Sequence, residues 1–338
     1  MVEKKLKKEI DFLIVGQGIS GSCFAWRVFQ DKKTFMIIDS NNPNSSSKAA
    51  LGIFNPITGR NYIKSWKYNT LFCELMKFYI CIESKLNEKI IFSKKIYRPF
   101  KNIADNNSWN TKLSSDKISP FIDIMHDKGI LTKKSGYLDV KKFLSLSKKY
   151  FKSLSRYKID NINTRNLNFK NGFFWYNNQK FKRVVMCRGV EENDNNVFKN
   201  IKLNAVSGNS IKIGSKKNMK WILNNVLNVL PIDNNIFLIG STYYNSQKDR
   251  GSIELVKKTK IKFDEKFKLI KTYFGIRPAS PDRRPIIGEH KKNKGLYIFN
   301  GMGSKAVSLA PYCSKVLYDY IKNKKNIEID LNIARFEP

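Results

Sequence analysis

The chain has 338 residues, 41% of them hydrophobic and 13% aromatic, which excludes a disordered polymer and allows two domains with sizeable cores. No apolar run approaches the roughly 20 residues a membrane-spanning helix needs. The one apolar run behind the basic start, Phe12-Leu-Ile-Val15, is too short for a secretory signal, so a cytoplasmic protein is expected. The 63 Lys and Arg against 28 Asp and Glu give a formal charge of +35. That excess fits a nucleic-acid partner and equally an AT-rich codon bias, since charge alone identifies no site.

Phe12–Val15 suits a buried parallel strand, and Gly16, Gly18 and Gly21 follow at once in G-Q-G-I-S-G. Ser22 to Gln30 reads as a helix with Phe24, Ala25, Val28 and Phe29 on one face. Thr34-Phe-Met-Ile-Ile38 reads as a second strand, ending at Asp39. This is the strand–turn–helix–strand context that a dinucleotide fingerprint requires. Gly16 permits the tight turn, Gly18 leaves room for a pyrophosphate, and Gly21 lets helix and sheet approach. The helix start, with Ile19 and Ser20, offers N–H donors and about half a positive charge. Asp39 suits ribose hydroxyls and argues against a 2′-phosphate, which leaves NAD or FAD.

Asn41–Ser47 is a loop, followed by the small-residue stretch Ser47-Lys-Ala-Ala-Leu-Gly-Ile53. Trp66–Leu86 is largely helical; Cys73 and Cys81 fall on it and read as core packing. The five cysteines lack C-x-x-C spacing, so neither a zinc site nor a disulfide framework is expected. Residues 87–135 show no clear period. Gly136-Tyr-Leu-Asp139 leads into a helix from Val140 to Leu154, with short strands at Tyr157–Ile162, Phe173–Tyr176 and Arg183–Met186. Residues 201–274 look β-rich, with strands at Trp221–Val229 and Ile236–Ile239 and a charged helix over Ile253–Tyr273. The end is a strand from Leu296, a glycine turn, and a helix from Ala306 to Ile321. No linker or repeat separates two halves, so the domains must interleave. Gly189 and the Gly301–Lys305 turn are extra glycine sites that the long FAD molecule would use. His126 and His290 read as packed or solvated.

Both ends of the chain resemble the FAD-dependent oxidoreductases of the D-amino acid oxidase superfamily, which includes glycine and sarcosine oxidases. I-V-G-Q-G-I-S-G-S with Asp39 resembles the family's N-terminal fingerprint, and G-Y-L-D-V from Gly136 its Gly-x-Leu-Asp. G-I-R-P-A-S-P-D-R-R-P-I-I-G, Gly275 to Gly288, resembles its Arg-Pro stretch, and G-M-G-S-K-A-V-S-L-A-P its flavin-capping helix start. The resemblance implies an α/β fold: a Rossmann-like FAD-binding domain (1–85, 136–200 and 275–338) with an interleaved β-rich α+β substrate domain (86–135 and 201–274). It implies non-covalent FAD, no cysteine lying near Phe274. The implied contacts are Gly16, Gly18, Ile19, Ser20, Gly21, Asp39, Ser40, Ser46, Ser47, Leu51, Gly52, Ile53, Gly189, Gly301, Met302, Gly303, Ser304, Lys305 and Ala306.

The implied reaction is oxidation of the C–N bond of an amino acid or secondary amine, by hydride transfer to flavin. Arg277 is expected to grip a substrate carboxylate through its planar guanidinium; the alternative is a structural pairing with Asp282. Arg283 and Arg284 read as exposed or structural. Tyr244, beside Tyr243, is expected to wall the pocket, although tyrosines there as often only pack. In N-P-I-T-G-R-N-Y-I-K-S-W, Arg60 and Lys64 suit an anionic substrate or water. G-S-K-A-V-S-L-A-P is also similar to the oxidase half of the bifunctional tRNA wobble-uridine enzymes, which cleave a carboxymethyl group from an amine; that makes tRNA a candidate partner. Ala306, where the family usually has Gly, and Arg188, where it has a small residue, support a third reading, a non-catalytic flavin-fold binding protein.

Overall fold

The computed structural model describes residues 9–59, 62–113, 115–126, 128–162, 167–194, 196–245, 248–249 and 251–336, so Arg60 lies outside the described residues. The chain divides into two compact units: Met1–Ser47, Lys141–Val206 and Ile276–Pro338 form one, Lys48–Val140 and Ser207–Gly275 the other. This division differs from the expected one: residues 48–85, 136–140 and Gly275 stand in the second unit, and residues 201–206 in the first. The cause is local pairing: Ile53–Phe54 forms an antiparallel ladder with Gly136–Leu138, which also pairs with Ile91–Ser93.

The first unit is built on an eight-stranded sheet whose parallel strands run in the order Tyr157–Ile159, Phe35–Asp39, Ile10–Val15, Gln179–Met186 and Leu296–Asn300. Ile286–Glu289 adds antiparallel to Leu296–Asn300, and the hairpin Asn168–Lys170/Phe173–Tyr176 adds antiparallel to the start of Gln179–Met186. A parallel sheet is covered on both faces, so its strands are apolar throughout: Leu13, Ile14, Val184, Val185, Ile298 and Phe299 are all buried. Leu13, Val15, Val184, Met186, Leu296 and Ile298 belong to one core with Phe174, Phe198 and Ile333. Helices Ile19–Gln30 and Ala306–Asn323 bring a second core, where Phe24 meets Phe12, Phe299 and Tyr318 edge-on. The helix Val140–Ser153 adds Tyr150, stacked on Trp26, and Ser147, which accepts the Trp26 indole N–H at 2.9 Å. Truncating Phe24 to Ala would cost about 3–5 kcal/mol.

The second unit carries another eight-stranded sheet, ordered Lys268–Ala279, Asn204–Gly214, Ile236–Gly240, Asn228–Asp233, Ile222–Asn224, Ile96–Pro99, Gly129–Thr132, Ile122–His126. Ile222–Asn224 runs parallel to Ile96–Pro99, whereas the hairpins on either side are antiparallel. Ile211, Ile213, Val229, Phe237 and Ile239 pack under Leu255 of the helix Ser252–Lys262 and under Phe263.

Several expected elements change here. Trp221–Val229 is split into the strand Ile222–Asn224 and the start of Asn228–Asp233 by a turn, because Asn224-Asn225 is turn chemistry and the Asn225 N–H bonds back to the Leu227 carbonyl at 3.0 Å. The charged segment Ile253–Tyr273 is helical only to Lys262, where Phe263 and Asp264 N–H groups both close on the Thr259 carbonyl. Beyond it, the β-branched and aromatic run Leu-Ile-Lys-Thr-Tyr-Phe joins the strand Lys268–Ala279. The described part of residues 87–135 holds six short elements, among them Ile96–Pro99 and the helix Ile103–Leu113. Cys73 and Cys81 are exposed, not core, since the buried stripe of Tyr68–Leu86 runs through Leu71, Leu75, Phe78 and Ile82. Among the described residues no helix is long and apolar enough to cross a membrane.

Candidate active site

In the first unit, three neighbouring parallel strands end at one edge of the sheet, at Val15, Met186 and Asn300. Ligands of open α/β sheets bind outside such carboxyl ends. Here each strand end is followed by glycine: Gly16, Gly189 and Gly301. Gly16 has φ +98°, and a Cβ on it would lie 2.5 Å from the Cys187 carbonyl oxygen. A Cβ on Gly21 would lie 1.9 Å from the Gly16 carbonyl oxygen, so the helix cannot approach the strand with any side chain there.

Gly18 caps the helix Ile19–Gln30 without a side-chain hydrogen bond, and no acidic residue stands in the first turn. The Ile19 N–H donates to Ser47 Oγ at 3.2 Å, whereas helix geometry leaves Ser20 and Gly21 N–H groups without intrahelical acceptors. Ser46 opens the short helix that carries Ser47 to this place. A Cβ on Gly18 would come within 3.1 Å of that same Ser47 Oγ. The cradle that side chains would fill, with N–H donors at a helix start, fits the pyrophosphate of a dinucleotide.

Asp39 ends the second strand. Its Oδ1 accepts the Gln17 N–H at 2.9 Å, and its Oδ2 accepts the Asn41 N–H at 3.1 Å and the Tyr157 hydroxyl at 3.3 Å. A carboxylate has about four acceptor positions, so this one keeps room for a ribose hydroxyl. Burial, and then the Asp39 charge, push the Tyr157 hydroxyl well up from its ordinary range and keep it a donor. Gln17 also donates Nε2 to the Leu144 carbonyl at 3.0 Å, locking the turn. Ser40 follows, half-buried. Gln17 and Tyr157 carried no signal, because one sits inside the fingerprint and the other over a hundred residues away.

The last glycine turn is tied to the middle one. Asn300 donates Nδ2 to the Gly189 carbonyl and accepts the Gly301 N–H, both at 2.9 Å. Gly301 and Gly303 have φ of +75° and +54°. The Gly303 N–H donates to the Pro278 carbonyl at 3.0 Å, and Met302 bridges to Ala279. Arg277, half-buried, is the next residue back along the strand Lys268–Ala279. Asp282 accepts from Arg335 at 2.7 and 3.3 Å. Lys305 caps the helix Ala306–Asn323 and is exposed with Ser304, whereas Met302 is buried. Crowding by protein atoms, followed by the charges of Arg284 and Arg283, holds the Lys305 ammonium below its ordinary range. Arg188 is half-buried between Gly16 and Gly189 in the chain of contacts, its Cα 3.5 Å from a Cβ built on Gly16. His290 is packed: its Nε2 lies 3.0 Å from the Val197 carbonyl and its ring against Phe198.

In the second unit, Gly52 has φ +82° and a Cβ on it would meet the Leu138 carbonyl oxygen at 2.0 Å. The A-L-G-I and G-Y-L-D stretches are thus neighbours, with Ile53 opposite Tyr137. Leu51 reaches Gly240, where a Cβ would come within 2.7 Å of its Cδ1. Tyr244 follows that strand and exchanges backbone hydrogen bonds with Ser207 at 2.9 and 3.1 Å. A buried polar lock holds this loop: Thr242 Oγ1 accepts the Asn209 N–H at 2.9 Å, and Asn209 Nδ2 donates to Asp249 at 2.9 Å.

The family described as "DAO: FAD dependent oxidoreductase" matches residues 11–320. The fold is similar to that of iminodiacetate oxidase from Chelativorans sp. BNC1 (TM-score 0.76, 16% identity, 97% of this chain and 98% of that one). It is similar to glycine oxidase from Bacillus cereus ATCC 14579 (TM-score 0.73, 19% identity, coverage 94% and 96%). It is also similar to FAD-bound L-alpha-glycerophosphate oxidase from Mycoplasma pneumoniae (TM-score 0.68, 14% identity, coverage 92% and 94%). With glycine turns gathered at one sheet edge, a cradle that fits a dinucleotide and a family match over nearly all its length, the chain belongs to the DAO family of FAD-dependent oxidoreductases and is a flavoenzyme.

Proposed function

We propose that the enzyme oxidises the C–N bond of a small amine bearing a carboxylate, an amino acid or a secondary amine. The observation that carries this reading is the bonding of the Arg277 strand end to the Gly301–Gly303 turn through Pro278 and Ala279. It ties a bidentate carboxylate-binding side chain to the turn assigned to the cofactor. The neighbours described as iminodiacetate and glycine oxidases support this substrate class.

When bound, FAD supplies the hydride acceptor. Gly16–Gly21, Asp39 and Ser47 hold its dinucleotide part, and Gly301–Ala306 aim helix N–H groups at developing negative charge. Arg277 fixes the substrate carboxylate and so orients the adjacent carbon. The substrate loses a hydride from that carbon and a proton from its neutral nitrogen, leaving an imine that water hydrolyses. No strong base is needed beyond solvent. Tyr244 is a candidate substrate contact, and the first unit serves as the FAD-binding domain, the second as the substrate domain. FAD is held non-covalently, in keeping with the lack of cysteine between Cys187 and Cys313.

The deciding experiment is anaerobic mixing of the holoenzyme with glycine, sarcosine, iminodiacetate and proline, followed by flavin absorbance. Bleaching by at least one carboxylated amine is expected. Hypomodified tRNA belongs in the same panel because of the +35 charge, and bleaching by it alone would replace the small-amine reading. Denaturation should release all the flavin into solution.

A further inference from the structure

Outside the glycine turns, the Arg335 guanidinium makes five hydrogen bonds. It lies in the short turn Ile333–Phe336, its side chain only 12% exposed. Its Nε donates to Asp282 Oδ2 at 2.7 Å, and its Nη1 to the Asn332 carbonyl at 3.0 Å. Nη2 reaches Asp282 Oδ1 at 3.3 Å, the Arg284 carbonyl at 3.1 Å and the Pro285 carbonyl at 2.8 Å. The guanidinium also lies 4.5 Å over the Phe336 ring. A planar fork with five donors can serve a carboxylate and several carbonyls at once, which an ammonium cannot.

What it grips is the turn Asp282–Pro285, where Arg283 sits at φ +59° and the Ser280 hydroxyl also donates to the Arg284 carbonyl. That carbonyl lies beside the last glycine turn. A Cβ on Gly301 would lie 3.4 Å from it and 3.0 Å from Ile286 Cγ1, and Ile286 pairs with Asn300. Arg283, Arg284 and Lys305 repel one another across this contact, and the helix start they surround has no acidic residue. The turn that carries two of these cations is held by Arg335, which donates to its backbone carbonyls and to Asp282.

We propose that Arg335 is a positioning residue for the cofactor: it clasps the Asp282–Pro285 turn and thereby holds the cationic Gly301–Lys305 turn in its flavin-binding shape. This deepens the assignment of Gly301–Ala306 to FAD and rests on it. The test uses the holoenzyme and three variants, Arg335→Ala, Arg335→Lys and Lys305→Met. Three quantities are read: FAD Kd by equilibrium dialysis, sulfite Kd by flavin absorbance, and the melting temperature of the apoprotein. Sulfite adds to oxidised flavin more tightly where positive charge is held near the ring, so it reports the turn without turnover. Arg335→Ala should raise both the FAD Kd and the sulfite Kd about tenfold, with Arg335→Lys between it and the parent, and Lys305→Met should raise the sulfite Kd. A lower melting temperature with both dissociation constants unchanged makes Arg335 a purely structural residue and overturns the clasp. If Lys305→Met weakens sulfite and Arg335 variants do not, the clasp fails while the turn assignment stands. If Lys305→Met changes nothing, the turn assignment fails and takes the clasp with it. Should Arg335→Ala not fold, Arg335→Lys and Asp282→Asn carry the same readouts.

Discussion

The first and last glycine turns of the first unit both open a helix at the same sheet edge, yet they require glycine for different reasons. At Gly16 and Gly21 the surroundings forbid a side chain, with backbone oxygens 2.5 and 1.9 Å from any Cβ. At Gly303 a Cβ would meet nothing nearer than Ala279 at 4.0 Å, and only its φ of +54° asks for glycine. Gly301 stands between the two, with φ +75° and Ile286 Cγ1 at 3.0 Å. The first turn is therefore part of the core, fixed by packing. The last is held by hydrogen bonds, the Gly301 and Gly303 N–H groups donating to Asn300 Oδ1 and the Pro278 carbonyl, with more open space around Gly303.

That contrast can be broken experimentally, most severely at Gly21. Gly21→Ala should cost about 3 kcal/mol in chemical denaturation and strip FAD from the purified protein, because two backbone segments must separate. Parent-like stability would show that the close approach does not exist. Next in size, Arg277→Lys should lower kcat/KM for carboxylated amines about 100-fold while FAD content stays at parent level. Loss of FAD in that variant would make Arg277 a support of the last turn and not a substrate ligand.

Gly251→Ala gives a measure away from both turns. Its new Cβ would lie 2.5 Å from Thr242 Oγ1, 2.7 Å from Asn209 Oδ1 and 2.7 Å from Tyr244 Cε2. Displacing Tyr244 should raise KM about tenfold with little change in FAD affinity; an unchanged KM would remove Tyr244 from the pocket. Gly303→Ala should cost only about 1 kcal/mol, the conformational penalty of a left-handed residue, and retain FAD. A loss as large as that of Gly21→Ala would erase the distinction between the turns.

The smallest effect is one of pH. Burial raises the Asp282 carboxyl, but the Arg335 hydrogen bonds, the Arg284 N–H, the Arg335 charge and Ser280 together outweigh it and leave the group below its ordinary value of 3.8. A depressed carboxyl stabilises the fold above pH 3.8 and loses that contribution as pH falls through the lower native value. The melting difference between parent and Asp282→Asn should thus be flat near neutrality and shrink below that pH. The difference is small because the Asp282 side chain is 39% exposed.

The parallel strands and the fingerprint were legible because they are local: an apolar run, three glycines and an acid lie within 30 residues. Helix Tyr68–Leu86 and the final helix were legible from their periods. The second unit was read less well, since its short strands between residues 87 and 135 have too few turns of pattern, and the strand Lys268–Ala279 is exposed along its first half and hides its alternation among lysines. The contacts that shape the site were illegible for another reason. Tyr157 on Asp39, Asn300 on Gly189 and Arg335 on Asp282 join residues 53 to 118 positions apart, and no spacing rule connects them. The placing of residues 48–85 in the second compact unit was not legible, because sequence could not show that Ile53 pairs with Tyr137.

The central strand Gln179–Met186 has consequences for how the molecule is made. Val184 is flanked by Leu13 and Leu296, about 170 positions earlier and 110 later in the chain. While a ribosome is still producing that later segment, Val184–Met186 presents a naked apolar edge with its future neighbour unborn. Such wide separations slow folding and invite sticking to other nascent chains. The nucleotide pocket accordingly cannot close before Leu296–Asn300 has been made, and its occupant must arrive after that.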